Sequence, residues 1–493
     1  MPLDGRILWL LFDTGNCTLI GYTSWEIPKL LSRSGTHGTM TNRLIEKIVL
    51  NDFRCFRRLE VDFDENLTVL VGRNGGGKTA ILDGVAIALA PFVGAFDEGQ
   101  TRGFDGSDIR QFQPRQTISN EMEYSPDGVT VTASGAFPYN FDPENDSGET
   151  IEWTRRRAKP TRSSTTIKEA KNLVNLGRVA QRRVRTAGNS TNLPIFAYYG
   201  TGRLWQTIKL TNKKLQRTSR TIGYSDCLNP ASDYKMMSNW FRYWSIGHLS
   251  EISKMSDETF HRGTTEFSEM MKSVSSAVDI CLRPAGWRNF SYSLALEELV
   301  CYHDEHGRLP VSYLSDGVRN MIGLVADIAF RTTKLNPHLG SNASKQTSGV
   351  VLIDEVDMHL HPSWQHEVLI SLREAFPQIQ FIVTTHSPQV VSAVEGKNIR
   401  ILDEGEVFSA PIGTEGARAG RLLKDVFDLP DDRPQNTKAG KELKRYLDLV
   451  DEGKWDSDEA VVLREALDAR YRGSEPDLID ADIRISNERW ERD

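Results

Sequence analysis

"NLTVLVGRNGGGKTAILDGVAIALA", residues 66–90, decides the fold. Its first part, "NLTVLV", is almost continuously apolar and reads as a strand buried on both faces, the kind that belongs in a parallel sheet. "AILDGVAIALA" carries helical spacing. Between them lies "GRNGGGKT", which runs Gly72, Arg73, Asn74, Gly75, Gly76, Gly77, Lys78, Thr79, with Ala80 opening the helix. Strand, GxxxxGK[ST], helix is the order of a phosphate-binding loop. Three successive glycines let the backbone curl so that its N–H groups converge on an anion at the positive end of the helix. Lys78 is expected to reach the β- and γ-phosphates of ATP, and the Thr79 hydroxyl to ligate Mg2+.

Far downstream, "VVLIDEVDMHLHP" places four apolar residues, Val350 to Ile353, before Asp354 and Glu355. Carboxylates at the end of a buried parallel strand stand where ligands bind in an open α/β sheet. Asp354 is expected to hold Mg2+, and Glu355 to act as general base on the attacking water. "FPQIQFIVTTHSPQVV" follows with another buried strand, Phe381 to Thr384, and His386 just past its end is placed to sense the γ-phosphate. His359 and His361 form an HxH pair without a further cluster, too little for a metal site. They read as part of a loop facing a partner subunit. Gln111 and Gln113, in "SDIRQFQP", are the candidates for a glutamine that watches Mg2+. Arg54 and Phe56 are candidates to line the adenine, Phe56 equally a core residue, and Arg203 in "GTGRLW" reads as a structural charge partner.

The 493 residues are 39% apolar and 26% charged, with a net charge of -7, and no apolar run is long enough to span a bilayer. The average hides an asymmetry. Thr154 to Thr186 holds eleven Lys or Arg against Glu169 alone, whereas Tyr446 to Asp493 holds fifteen acids against seven bases. The first could meet nucleic-acid phosphates and the second a basic protein. Five scattered cysteines without CxxC pairs fit a reducing, cytoplasmic compartment. Residues 1–39 precede a second Met, Met40, and read as an extension that the fold does not need. Further expected boundaries are an ATPase lobe over 40–205, a helical insertion over 206–290, a second lobe over 291–420 and an acidic helical tail over 421–493.

"YLSDGVRN", Tyr313 to Asn320, sits between the two phosphate-site motifs. Alone it is a turn and helix N-cap. As an ordered set, however, "DFRCF", "GRNGGGKT", "LSDGVRN", "LIDEVDMHLHP" and "VTTHSP" resemble the RecF/SMC/OLD-type branch of ABC ATPases, which act on DNA. The resemblance covers residues from about 40 to about 410. It implies an α/β, ABC-type P-loop fold with a mixed sheet, a helical insertion and a helical C-terminal tail. It also makes "LSDG" the ABC signature, usually LSGGQ, with Asp316 in place of the first glycine of the pair and Val318 in place of the glutamine. In that family Ser315, Asp316 and Gly317 would complete the γ-phosphate cage of the opposite protomer, which implies a homodimer or larger homo-oligomer.

"LPIFAYYGTGRLW", "GYSDCLNPASDYKMMSNWF" and the tail from "LLKDVFDLPDDRP" to "PDLIDADIRISNERW" narrow the resemblance to the ATPase subunits of Septu-type antiphage systems, the PtuA family, some of which are retron-associated. That implies that ATP occupancy holds together or gates an assembly with an HNH nuclease partner of the PtuB type and, in retron loci, a reverse transcriptase with its msDNA; slow ATP hydrolysis is expected. No nuclease centre is read in this chain. Two alternatives stand beside this: a DNA-repair ATPase clamping duplex through residues 154–186, and an ATP-bound scaffold with little turnover.

Overall fold

The computed structural model describes residues 43–114, 122–138, 149–186, 191–203, 219–230, 235–254, 265–429, 433–434 and 436–492. The expected extension 1–39 and parts of the expected insertion 206–290 lie outside them. β1 (Lys47–Phe53) turns through Arg54 and Cys55 into its antiparallel neighbour β2 (Phe56–Asp62). β3 (Leu67–Gly72) is buried at every position, as a strand covered on both faces must be. α1 (Lys78–Val93) follows the glycine loop and is buried everywhere except Thr79.

β4 (Gln111–Phe112) and β5 (Glu123–Tyr124) form a short ribbon. β6 (Val129–Phe137) and β7 (Glu149–Arg157) extend the first hairpin into a four-stranded antiparallel sheet of order β2-β1-β6-β7. α1 lies against it: the Trp153 indole N–H donates to the Ala88 carbonyl at 2.8 Å. A Cβ on Gly84 would come within 2.7 Å of the Leu50 side-chain methyl, so a larger residue here would have to displace that side chain.

α2 (Lys171–Thr186) leads to β8 (Ile195–Tyr199), and α3 (Lys235–Ile252) and α4 (Glu266–Leu282) follow. β9 (Trp287–Ser293), β10 (Glu298–His303) and β11 (Gly307–Pro310) make a three-stranded antiparallel sheet that delivers the chain to α5 (Asp316–Leu335). β12 (Gly349–Ile353), α6 (Val368–Ala375), β13 (Ile379–Thr384), β14 (Ile399–Asp403) and β15 (Glu406–Ser409) then complete the central sheet. Its order is β15-β14-β3-β13-β12-β8, parallel throughout except for β15, hence mixed. Ile353 pairs with both Val383 and Tyr199, and Thr384 with Leu70. The carboxyl ends of β3, β13, β12 and β8 therefore meet at one sheet edge, the edge at which such sheets bind ligands.

Beneath that edge Asp327 and Arg331 of α5 form a buried ion pair at 2.7 Å, with side chains 0% and 1% exposed. The same Asp327 oxygen accepts from the Tyr199 hydroxyl at 2.8 Å, and Arg331 donates to the Gly223 and Ser225 carbonyls. Burial is the largest single influence and lowers the Arg331 pKa, but Asp327, Tyr199 and Cys227 together outweigh it and the net shift is upward. Arg331→Met should cost about 3–5 kcal/mol in urea unfolding, because it leaves an uncompensated buried carboxylate. A loss under about 1 kcal/mol would show that water reaches this pair.

α7 (Lys438–Asp451), α8 (Asp458–Tyr471) and α9 (Pro476–Arg492) pack around a core of their own: Leu443, Tyr446, Leu449, Val450, Ala460, Leu467, Leu478 and Ala481. Leu422 and Val426, inside the expected tail, belong instead to the main core.

Candidate nucleotide site

The loop after β3 needs its glycines for two separate reasons. Gly75 and Gly77 have φ of 78° and 95°, a region unfavourable to residues with a Cβ. A Cβ on Gly77 would also run into the Phe56 ring and come within 2.8 Å of Cys55 Sγ. Phe56 is thus a buried prop under the loop. Arg54 is held by Asp83 and Asp108 at 2.6 and 2.8 Å.

Lys78 Nζ donates to the carbonyls of Gly72 (2.9 Å) and Arg73 (3.1 Å), which keeps its charge inside the loop. Burial lowers its pKa, and the nearby Asp354 and Glu355 pull the other way. The Thr79 hydroxyl donates to one Asp354 carboxylate oxygen at 2.8 Å, and the Thr384 hydroxyl to the other at 2.6 Å. A hydroxyl and a carboxylate side by side at the loop mouth are hard oxygen donors, which fit Mg2+.

Glu355 follows with φ 49°, its N–H donating to the Thr384 hydroxyl at 2.8 Å. Thr385 donates to Asp357 at 2.5 Å. The tandem threonines of "VTTHSP" therefore brace the carboxylates of the next strand; sequence reasoning missed both, and their doubling was the available signal. Arg203 is buried and donates to the Asp354 and Glu355 carbonyls. His386 is half-buried. Burial first and Lys78 second lower its pKa, against the pull of Glu355, Asp357 and Asp354. At neutral pH the ring is neutral and offers one N–H and one lone pair.

Ser315 is the N-cap residue of α5, but its side chain makes no capping bond. It is exposed, as is Asp316, which pairs with Arg319. Gly317 is buried, and a Cβ there would strike the His359 carbonyl oxygen. The start of α5 is therefore packed against the loop that follows Glu355, with Ser315 turned to the surface. Among the described residues no hydrogen bond or ion pair joins Ser315 or Asp316 to Gly72–Ala80. His361 accepts the Ser363 N–H and caps the short helix Pro362–Gln365, while His359 is exposed with φ 63°.

Gln111 and Gln113 are exposed, and among the described residues no hydrogen bond joins either to Thr79 or Asp354. One His/Glu group of metal-ligand type occurs among the described residues, His303, Glu305 and His306 on the β10–β11 turn. There His303 Nδ1 accepts the Glu305 N–H, which puts the imidazole proton of a neutral ring on the other nitrogen. The two imidazoles stack beside Trp287.

The basic segment divides in two. Arg155 is buried and donates to the Ile87 and Thr166 carbonyls, while Arg157 donates to those of Phe104, Lys159 and Pro160, and Arg156 to that of Asp127. On α2, Lys171, Asn175, Arg178, Arg182 and Arg185 are exposed at helical spacing along one face. Several of them line an open cleft of about 690 Å³ beside Ala95 and Asp97.

An AAA domain family matches residues 47–262, and a second, described as "AAA domain, putative AbiEii toxin, Type IV TA system", matches residues 289–392. The chain is 27% identical to "Retron Ec83 probable ATPase" of Escherichia coli, over 91% of this chain and 88% of that one. It is 24% identical to "Septu protein PtuA" of Bacillus thuringiensis, over 83% and 91%. Among solved structures it is similar to the SMC head bound to the C-terminal winged-helix domain of ScpA, at 17% identity and TM-score 0.41, over 75% of this chain and 98% of that one. No helix among the described residues is long and apolar enough to cross a membrane. The chain is thus a homologue, over most of its length, of the proteins named Retron Ec83 probable ATPase and Septu protein PtuA, and its glycine loop between β3 and α1 is that of a P-loop fold.

Proposed function

We propose that this protein hydrolyses ATP at a site shared between two protomers and uses nucleotide occupancy to recruit or regulate an HNH nuclease in antiphage defence. One observation carries the first half: the Thr79–Asp354 contact joins the phosphate loop to the carboxylate strand, while Ser315 stands exposed and uncapped at a helix N-terminus.

Gly72 to Ala80 bind the phosphates, with Lys78 neutralising the β- and γ-positions. Thr79 and Asp354 hold Mg2+, which when bound draws charge off the phosphate oxygens. Glu355 takes a proton from the attacking water, and His386, neutral, hydrogen-bonds at the γ-phosphate. Ser315 and the Gly317 amide close the cage from the second protomer.

The three-helix unit α7–α9 is the docking module for the nuclease, because it has its own core and leaves Ile479, Ile483 and Trp490 exposed on an acidic chain segment. The exposed α2 face carries nucleic-acid phosphates, msDNA in a retron setting, while Arg155–Arg157 are structural. Co-expression with a PtuB-like HNH nuclease tests the docking. A chain ending at residue 436 should bind ATP as the full chain does and lose at least nine-tenths of nuclease capture, roughly the loss of one interface hot-spot cluster. Undiminished capture would place the docking surface elsewhere.

A further inference from the structure

We infer that Arg203 is a positioning residue for Glu355: its guanidinium fixes the backbone turn that aims the general base. The inference rests on the hydrolytic reading above. Arg203 lies four residues past the end of β8, the strand beside β12, and is 4% exposed. One guanidinium nitrogen, Nη1, donates to the Gly200 carbonyl at 3.0 Å and to the Asp354 carbonyl; the other, Nη2, donates to the Glu355 carbonyl at 2.6 Å. The two carbonyls it spans are those of the metal-binding and base residues in succession.

Glu355 needs such a hold. Its φ of 49° lies in the left-handed region, which a residue with a Cβ occupies only when its surroundings over-determine it. The same backbone is tied by the Thr384 hydroxyl to the Glu355 N–H and by the Met358 N–H to the Glu355 carbonyl at 3.0 Å. Thr384 fixes the strand side of the turn and Met358 the exit side. Arg203 fixes the carbonyl planes in between, and so the direction in which the Glu355 side chain leaves the sheet edge. A planar fork with several fixed donors can span consecutive carbonyls, whereas the ammonium of a lysine is a single point.

The test compares wild type, Arg203→Lys, Arg203→Ala and Arg203→Lys with Glu355→Gln, all as full-length protein. It reads phosphate release at saturating ATP, affinity for a fluorescent ATP analogue and thermal melting. Both single variants should lose about tenfold or more in kcat with nucleotide affinity within about twofold, the split expected for an interaction felt only in the transition state. Millimolar guanidinium should partly restore Arg203→Ala. The double variant should be no slower than Glu355→Gln alone, because residues acting through one group are not additive. Wild-type turnover in Arg203→Lys, or a double variant about tenfold below Glu355→Gln, would overturn the inference while leaving the ATPase reading intact. Absence of turnover in wild type itself would overturn both.

Discussion

Glu355→Gln should lower ATP turnover by roughly two to four orders of magnitude, the usual contribution of a positioned general base, while nucleotide affinity stays within about twofold of wild type. The amide keeps the size and hydrogen-bonding outline of the carboxylate, so the strained turn at φ 49° and its bond to Thr384 survive. What is lost is the ability to accept a proton from water. Asp354 cannot substitute, because both of its oxygens are engaged by Thr79 and Thr384. Phosphate release under single-turnover conditions, set beside equilibrium binding of a fluorescent ATP analogue, separates the two quantities. Turnover within about threefold of wild type would remove Glu355 from the chemistry.

Ser315→Arg should be as damaging, by a different route. The Ser315 side chain is exposed and caps nothing in its own chain, so replacing it leaves the fold intact and melting unchanged. A long cation at that helix N-terminus keeps a second protomer from bringing the Ser315 hydroxyl and the Gly317 amide to its neighbour's γ-phosphate. Loss of one preorganised donor of this kind typically costs 10²–10³ in rate. ATP affinity of the isolated protomer should hold, since Lys78 and the glycine loop are untouched. If Ser315→Arg turned over ATP normally, "LSDG" would be only a turn at the head of α5.

The phosphate loop and the carboxylate strand were legible in the sequence because their chemistry is contiguous. Gly72 to Thr79 carry their own turn and helix start, and Asp354 with Glu355 close an apolar run that can only be a buried strand. The braces were not legible. Arg203 reaches Asp354 across 151 positions and Thr384 reaches it across 30, separations that only the parallel pairing of β8, β12 and β13 brings together. The arginine run was overread for another reason. Arg155 to Arg157 lie on β7, where alternate side chains point to opposite faces, so Arg155 is turned inward onto carbonyls and cannot meet phosphate. The acidic tail was read correctly as helical from the spacing of Leu443, Tyr446, Leu447 and Val450, but the independent core of α7–α9 depends on contacts with Ala460, Leu467, Leu478 and Ala481 that no single helix reveals.

The shared site is tested most directly by mixing two inactive variants, Lys78→Ala, which cannot hold the phosphates, and Ser315→Arg, which cannot close over them. In a dimer containing one of each, one site is doubly damaged and the other is made wholly of wild-type parts. Random mixing should therefore restore about a quarter of wild-type phosphate release, since about half the dimers are mixed and each has one sound site of two. If the mixture remains as inactive as its components while both proteins stay folded, each chain works on its own nucleotide and the shared site is contradicted.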